Sequence, residues 1–254
     1  MEPLIELQDV TVFSHDYAVL ESVNLTFYKG RSTVIMGPSG CGKSMLLKVA
    51  AGIIPPDQGR VLLEGRSLDR LSARSLQAFR GQSGFVFQDA ALWANKSIFE
   101  NLALPLQYHC DRLDPAEVNA RVESLLAAMS LGDSPALRPD ALSAGERKIV
   151  SFLRAVSLEP SLLFIDEPTP SIDHQMIARM LRLIHDLHDR GCTIIAVTHD
   201  AHLTSLIASD LVVLQAGRVL EAGPIADVRR SPRPEVREIL AQVLSDAATY
   251  DTDI

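Results

Sequence analysis

The chain has 254 residues, of which 47% are hydrophobic and 22% charged, with a net charge of −8. That length and apolar content support a sizeable core, in one domain with a subdomain or in two, while the acidic balance argues against sequence-independent nucleic-acid binding. The three cysteines, Cys41, Cys110 and Cys192, form no C-x-x-C pair and fit reduced thiols rather than a disulfide framework or a zinc site. The start, Met1 to Glu6, lacks the basic-then-apolar pattern of a secretory signal, and no uncharged apolar run approaches the ~18 residues of a membrane span. Residues 4–13 alternate loosely and predict a strand at a sheet face. Residues 19–28 repeat the pattern, with Val23, Leu25 and Phe27 on one side, and Lys29-Gly30 turns the chain back. Two closely spaced antiparallel strands here predict a small β-subdomain.

The next stretch organises the rest. Ser32-Thr33-Val34-Ile35-Met36 is a short β-branched run suited to a buried strand. Gly37-Pro38-Ser39-Gly40-Cys41-Gly42-Lys43-Ser44 reads G-x-x-x-x-G-K-S, and Met45 to Ala51 is free of Gly and Pro. Strand, glycine loop and helix are the context that a phosphate-binding P-loop needs. The glycines let successive N–H groups aim at a phosphate chain, and the helix N-terminus adds partial positive charge. Lys43 would reach the β- and γ-phosphates and the Ser44 hydroxyl would ligate Mg²⁺.

After a turn over Ile53–Gly59, Arg60–Gly65 predicts a short strand, Leu71–Arg80 a helix and Gly84–Gln88 a strand ending in a polar residue. From residue 90 to about 158 helical periodicity takes over. Asp114-Pro115-Ala116-Glu117 supplies an N-cap, Pro at N1 and Glu at N3; Val118, Val122, Leu125 and Met129 mark one face, with Gly132 expected to close the helix. The α/β pattern resumes at Ser161–Glu167. A helix over Asp173–Arg190 carries Ile177, Met180, Leu181, Ile184 and Leu187 on one face. Thr193–Asp200 predicts a buried strand that ends in polar residues, 211–214 and 218–221 a hairpin, and Pro234–Ala247 an amphipathic helix with Val236, Ile239, Leu240, Val243 and Leu244 on its apolar face. That last helix packs on its own domain or offers a partner surface.

Leu162–Ile165 followed by Asp166-Glu167 would hold Asp166 rigidly at a strand's C-terminal end, where α/β sheets bind ligands, with Glu167 a candidate general base for the attacking water. The same pattern alone is an ordinary strand end. Ser143-x-x-Glu146 is a capping box in its own right, and a capped helix N-terminus is also a phosphate site. Gln88 and His199 both sit where strands are expected to end, as structural or solvent-facing residues or within reach of a γ-phosphate. His185 and His188, with Asp186 and Asp189, read as a solvated face.

The order Gly37–Ser44, Gln88, Leu142-Ser143-Ala144-Gly145-Glu146, Phe164-Ile165-Asp166-Glu167-Pro168, Pro170-Ser171-Ile172-Asp173 and His199 resembles the ATP-binding subunits of ABC transporters over essentially the whole chain. The resemblance implies an α/β fold: a P-loop NTPase (RecA-like) core with an antiparallel β-subdomain (1–89 and 159–233), an inserted α-helical subdomain (90–158), and a C-terminal helix and tail (234–254). It implies a head-to-tail homodimer with ATP and Mg²⁺ at the interface. Gly37, Pro38, Ser39, Gly40, Cys41, Gly42, Lys43, Ser44 and Met45 would bind the phosphates, and Ser44, Gln88 and Asp166 would serve Mg²⁺. Glu167 would activate water, with Gln88 and His199 beside the γ-phosphate. Ser143, Ala144, Gly145 and Glu146 would face the ATP held by the other copy, Asp173 would communicate across the dimer, and Tyr17 would stack on adenine.

Three departures from the family pattern matter. Leu142-Ser143-Ala144-Gly145-Glu146 stands where L-S-G-G-Q is usual, so a left-handed third position would strain Ala144 and Glu146 would bring a carboxylate near phosphate unless it folds back as a cap. Pro170 removes a backbone donor from the segment usually reading S-A-L-D. The usual adenine-stacking position holds Ser14, flanked by Phe13 and Tyr17. Phe87–Trp93, Ile98–Leu106 and Pro232–Leu240 resemble the ATPases that work with MCE proteins in Mla-type lipid transport. That implies integral membrane permeases and an MCE-type lipid-binding protein as partners, lipid or phospholipid as cargo, and a place on the cytoplasmic face of the inner membrane. A motor for another cargo, such as an amino acid or metal, is the alternative, as is a soluble or regulatory ATPase with weak hydrolysis.

Overall fold

A computed structural model describes residues 1–110, 113–132 and 135–250, with side chains described as far as residue 242. In chain order the elements are β1 (Pro3–Ser14), β2 (Tyr17–Tyr28), β3 (Ser32–Met36), α1 (Lys43–Ala50), β4 (Gln58–Leu63), β5 (Arg66–Ser67), α2 (Ala73–Gln82), β6 (Ser83–Val86), α3 (Ile98–His109) and α4 (Pro115–Ala128). There follow α5 (Ala144–Val156), β7 (Leu162–Asp166), α6 (His174–Asp189), β8 (Thr193–Val197), α7 (Ala201–Ile207), β9 (Asp210–Gln215), β10 (Arg218–Pro224), α8 (Ile225–Val228) and α9 (Pro234–Tyr250). The chain divides into two compact units, Met1–Leu76 with Thr193–Ile254, and Gln77–Cys192.

In the first unit, β1 pairs antiparallel with both β2 and β4, and the short β5 extends the sheet beyond β4. The alternation over 4–13 and 19–28 produces this: Ile5, Leu7, Val10 and Val12 turn inward, as do Leu20, Val23, Leu25 and Phe27. The unit's second group of strands centres on β3, which lies parallel to β8 and to β9, while β10 returns antiparallel on β9. Every residue of β3 and β8 is buried, as expected of parallel strands covered on both faces. Arg31, just before β3, forks onto Asp210 at the start of β9 with contacts of 2.5 and 2.7 Å, a bidentate geometry that fixes the register of these strands. Helix α1 begins at Lys43, two residues earlier than the apolar run suggests, and buries Leu46, Leu47 and Val49 completely. Val236, Ile239 and Leu240 of α9 are buried, so this part of the helix packs on its own unit; Val243 and Leu244 lie outside the described side chains.

In the second unit, β6 and β7 pair in parallel. Helix α4 starts as expected, with a reciprocal capping box between Asp114 and Glu117. Its end differs. Ser130, not Gly132, takes the left-handed position at φ 56°, with Leu131 N–H donating to Leu126 O and Ser130 N–H to Ala127 O. This is a Schellman closure, made by a serine whose hydroxyl accepts from Arg179. The helix expected over 71–80 is displaced to 73–82 behind a short 3₁₀ turn, and β6 ends at Val86, leaving Gln88 beyond the strand. Helix α6 buries Met180, Ile184 and Leu187, with Ile177 and Leu181 half-buried beside them.

Candidate functional site

The glycine loop of the first unit runs from the end of β3 into α1. Gly42 is the N-cap of α1 and sits at φ 105°, a conformation that L side chains rarely adopt, so glycine is required where the loop enters the helix. Lys43 follows as the first helical residue and is 92% buried (8% exposed). Its ammonium donates to the carbonyls of Gly37 at 2.8 Å and Pro38 at 3.0 Å, so the charge is held over the loop itself. Cys41 is buried and burial raises its thiol pKa, which keeps a neutral, small side chain in the glycine loop. Ser44 and Met45 are half-buried in the first turn of α1, and Ser39 and Gly40 lie exposed at the tip of the loop. His199 stands half-buried two residues beyond β8, just before Asp200, whose carboxylate caps α7 through Leu203 N–H. Tyr17 opens β2 next to the hairpin turn and is 63% exposed; Phe13 across the hairpin is also exposed.

In the second unit, β7 carries Asp166 at its last position, 1% exposed. Glu167 follows in the left-handed region at φ 46°. Lys148, on α5, donates to the Glu167 carbonyl at 3.0 Å and lies in the field of both carboxylates, while its own burial lowers its pKa. Ser143 and Glu146 form the reciprocal capping box that their spacing predicts, and the hydrogen bonds from Ser143 hold the Glu146 carboxyl below the usual carboxylate range. Ala144 is the first residue of α5 with helical backbone, so the strain expected at a left-handed Ala144 is absent. Gly145 is required for a different reason: a Cβ there would stand 2.3 Å from the Ser171 carbonyl. Ser171 projects that carbonyl from a turn closed by Ile172 N–H to Thr169 O, with Pro170 at the second position and Ser171 at φ 69° at the third. This is type II geometry, in which Pro170 stands where no donor is needed. Asp173 caps α6 through Met176 N–H at 3.0 Å and is exposed, as is Gln88.

Three residues of the second unit escape sequence reading and bear on these loops: Lys148, Arg154 and Asn101. Only the S-x-x-E spacing at Ser97–Glu100, which caps α3 four residues before Asn101, is a signal that could have been found. His185, His188 and Asp189 place one potential ligand atom each within 4.8 Å of one another, with His185 and Asp189 exposed and His188 half-buried, as on the solvated face expected of them. Among the described residues no helix is long and apolar enough to cross a membrane.

Comparison with known proteins agrees with the motif order. The family model described as ABC transporter matches residues 20–170. The methionine import ATP-binding protein of Rhodococcus jostii is 33% identical over 256 residues, covering 99% of this chain and 75% of that protein. The corresponding protein of Mesorhizobium japonicum is 35% identical, and the spermidine/putrescine import ATP-binding protein of Thermotoga maritima 34%; the chain spans 60% of the length of each. Among solved structures, the post-hydrolysis dimer of an ATP-binding cassette bound to ADP and Pi matches with a TM-score of 0.80 and 27% identity, covering 87% of this chain and 99% of that one. The shared fold is the mixed α/β cassette with an antiparallel sheet, a helical subdomain and a P-loop core.

Proposed function

The chain belongs to the ABC transporter family and is an ATP-binding ATPase of that family, and we propose that it works as the motor subunit of a transporter, closing on ATP as a head-to-tail homodimer and reopening after hydrolysis. The observation that carries this reading is the glycine loop: Gly42 left-handed at the helix N-cap and Lys43 buried with its ammonium hung on Gly37 and Pro38. A triphosphate would exchange for those carbonyls as the partner of Lys43, with the loop N–H groups of Gly37–Ser44 and Met45 around it. In this reading the whole chain is one ATP-binding domain, with residues 90–158 as its helical subdomain. Ser44 and Asp166, with Gln88, hold Mg²⁺; Glu167 polarises the attacking water; His199 contacts the γ-phosphate; Tyr17 stacks on adenine. Ser143, Ala144, Gly145 and Glu146 serve the ATP of the second copy, and Asp173 links the two sites. The exposure of Ser143, Ala144 and Asp173 supports this, since such residues need an open face.

The cargo is proposed to be a small polar solute of the amino-acid or polyamine kind, taken up through an integral membrane permease on whose cytoplasmic face this chain docks. The names of the relatives at 33–35% identity support that reading. They give no support to the lipid cargo and MCE-type partner that residues 87–106 and 232–240 suggest by resemblance. Purification of the tagged chain from gently solubilised membranes separates the two. A permease with a solute-binding protein supports import; a permease with an MCE protein restores lipid transport; no membrane protein at all removes the transporter assignment. Hydrolysis is tested separately: Lys43→Ala should lower ATP turnover at least about a hundredfold.

A further inference from the structure

Three side chains near the C-terminal end of α6 converge on one point, away from the glycine loop and from the end of β7. His185, His188 and Asp189 stand at i, i+3 and i+4, which places them on one face of the helix. One potential ligand atom from each lies within 4.8 Å of the others. The Asp189 carboxylate is the centre: its Oδ1 is 3.6 Å from His185 Nδ1 and 3.6 Å from His188 Nδ1. Both separations exceed hydrogen-bond length, so neither ring is bonded to the carboxylate it faces. Among the described residues no lysine or arginine pairs with Asp189, which leaves its charge to the two rings.

The three differ in burial. The side chains of His185 and Asp189 are exposed, whereas His188 follows the buried Ile184 by one turn and sits at the edge of the apolar face. That placement covers its Nδ1, which is buried and has no hydrogen-bond partner among the described residues. A buried polar atom without a partner is rare, and a bound ion is one of the few ways to satisfy it. As a lone pair, His188 Nδ1 would face the negative Asp189 oxygen with nothing between them, which is repulsive. A cation between the two removes that repulsion and takes both as ligands. The separations fit. Zinc bonds nitrogen at about 2.0–2.1 Å and carboxylate oxygen at about 2.0–2.2 Å, so tetrahedral neighbours stand about 3.4 Å apart. Both histidine–aspartate edges are close to that length, and the exposed His185 ring can turn to close the third. The site also lies in the last turn of α6, where the helix carbonyls favour positive charge.

We propose that His185, His188 and Asp189 form a binding site for a divalent transition-metal ion of the zinc kind, with water completing its coordination. Two imidazoles and one carboxylate are a borderline donor set, which favours zinc-like cations over the hard, oxygen-seeking Mg²⁺ expected beside a nucleotide. The ion ties three positions of α6 together and clamps its C-terminal turn, just before the chain passes through Gly191 and Cys192. The site needs no nucleotide and no second copy of the chain, so it stands independently of the motor reading.

The probe is Zn²⁺, offered by equilibrium dialysis to the full chain, free of any histidine tag and of nucleotide, in excess Mg²⁺. The same titration is run on His185→Gln, His188→Gln and Asp189→Ala. The parent is expected to bind one zinc per chain, and each variant to bind it at least about tenfold more weakly, the loss seen when even an outer-shell partner of a metal is removed. Zinc should raise the melting temperature of the parent and leave that of His185→Gln unmoved. Co²⁺ in place of zinc should give a spectrum without thiolate charge transfer, which separates this site from Cys41, Cys110 and Cys192. A parent that takes up no zinc overturns the proposal and leaves an ordinary histidine–aspartate ion pair. Zinc bound equally well by His185→Gln and Asp189→Ala overturns it too, as does a cobalt spectrum dominated by thiolate. His185 and Asp189 are exposed, so their variants decide the matter even if His188→Gln fails to fold. None of these outcomes bears on ATP binding, which is measured separately.

Discussion

Glu146 and Ser143 occupy each other: the Glu146 carboxylate accepts Ser143 N–H at 2.8 Å, and the Ser143 hydroxyl accepts Glu146 N–H at 3.2 Å. The carboxylate is therefore spent on its own helix, and it leaves a negative charge at the N-terminus that a γ-phosphate from a second copy would approach. Neutralising it while keeping the cap should help closure. Glu146→Gln is expected to raise steady-state ATP turnover by about threefold or more, whereas Glu146→Ala should lose about 1 kcal/mol of stability with the cap. A turnover in Glu146→Gln equal to or below the parent's would remove the charge from the account of this motif.

The same pair sets an acid dependence. The Ser143 hydrogen bonds hold the Glu146 carboxyl below the usual carboxylate range in the folded chain. A depressed carboxyl contributes stability above its unfolded pKa and loses it as pH falls through the folded value. Melting temperatures measured from pH 6 down to about 3.5 should therefore fall more steeply for the parent than for Glu146→Gln, and the two should run parallel above pH 6. Parallel curves throughout would mean that the cap is indifferent to ionisation.

Gly145 and Ala144 are adjacent but differ in what they tolerate. A methyl at 145 would meet the Ser171 carbonyl at 2.3 Å. Gly145→Ala is expected to cut ATPase activity at least about tenfold by displacing the turn before Asp173. Ala144→Gly relieves no strain, because Ala144 is already helical. It should cost about 0.5–1 kcal/mol of stability and leave turnover unchanged. A faster Ala144→Gly enzyme would revive the left-handed third position that the structure removes.

Lys148 joins the helix of Ser143 to the strand end of Asp166 through the Glu167 carbonyl at 3.0 Å. That bond helps hold Glu167 at φ 46°, so Lys148→Met should lower kcat about tenfold with little change in KM for ATP, and Lys148→Arg should recover part of the loss. Equal loss in kcat and in ATP affinity would instead indicate collapse of the loop.

Where a residue's state depends on its neighbours in sequence, reading it was straightforward. The β-branched run before Gly37, the helix after Lys43, and the caps at Asp114 and Ser143 all depend on contacts within four residues or on simple periodicity, and all are in place. The left-handed Ala90, Ala91, Ser130 and Ser171 were not legible, because nothing in their side chains demands that conformation. At Ala90 and Ala91 the carbonyls are held by Arg154, more than sixty residues on. Gly132 was the natural helix terminator by composition, but the helix closes two residues sooner, where the Ser130 hydroxyl meets Arg179. Gly145 was legible as a motif letter, while its physical reason, the approach of Ser171, needed the fold.

The motor account stands on dimerisation driven by ATP. Sedimentation of the Glu167→Gln protein, with and without ATP and Mg²⁺, tests this most directly. The account predicts a monomer without nucleotide and a doubled mass with it, reversed by adding Lys43→Ala or Ser143→Arg. A protein that binds ATP with its mass unchanged would contradict the composite site, and with it the closing and reopening proposed here.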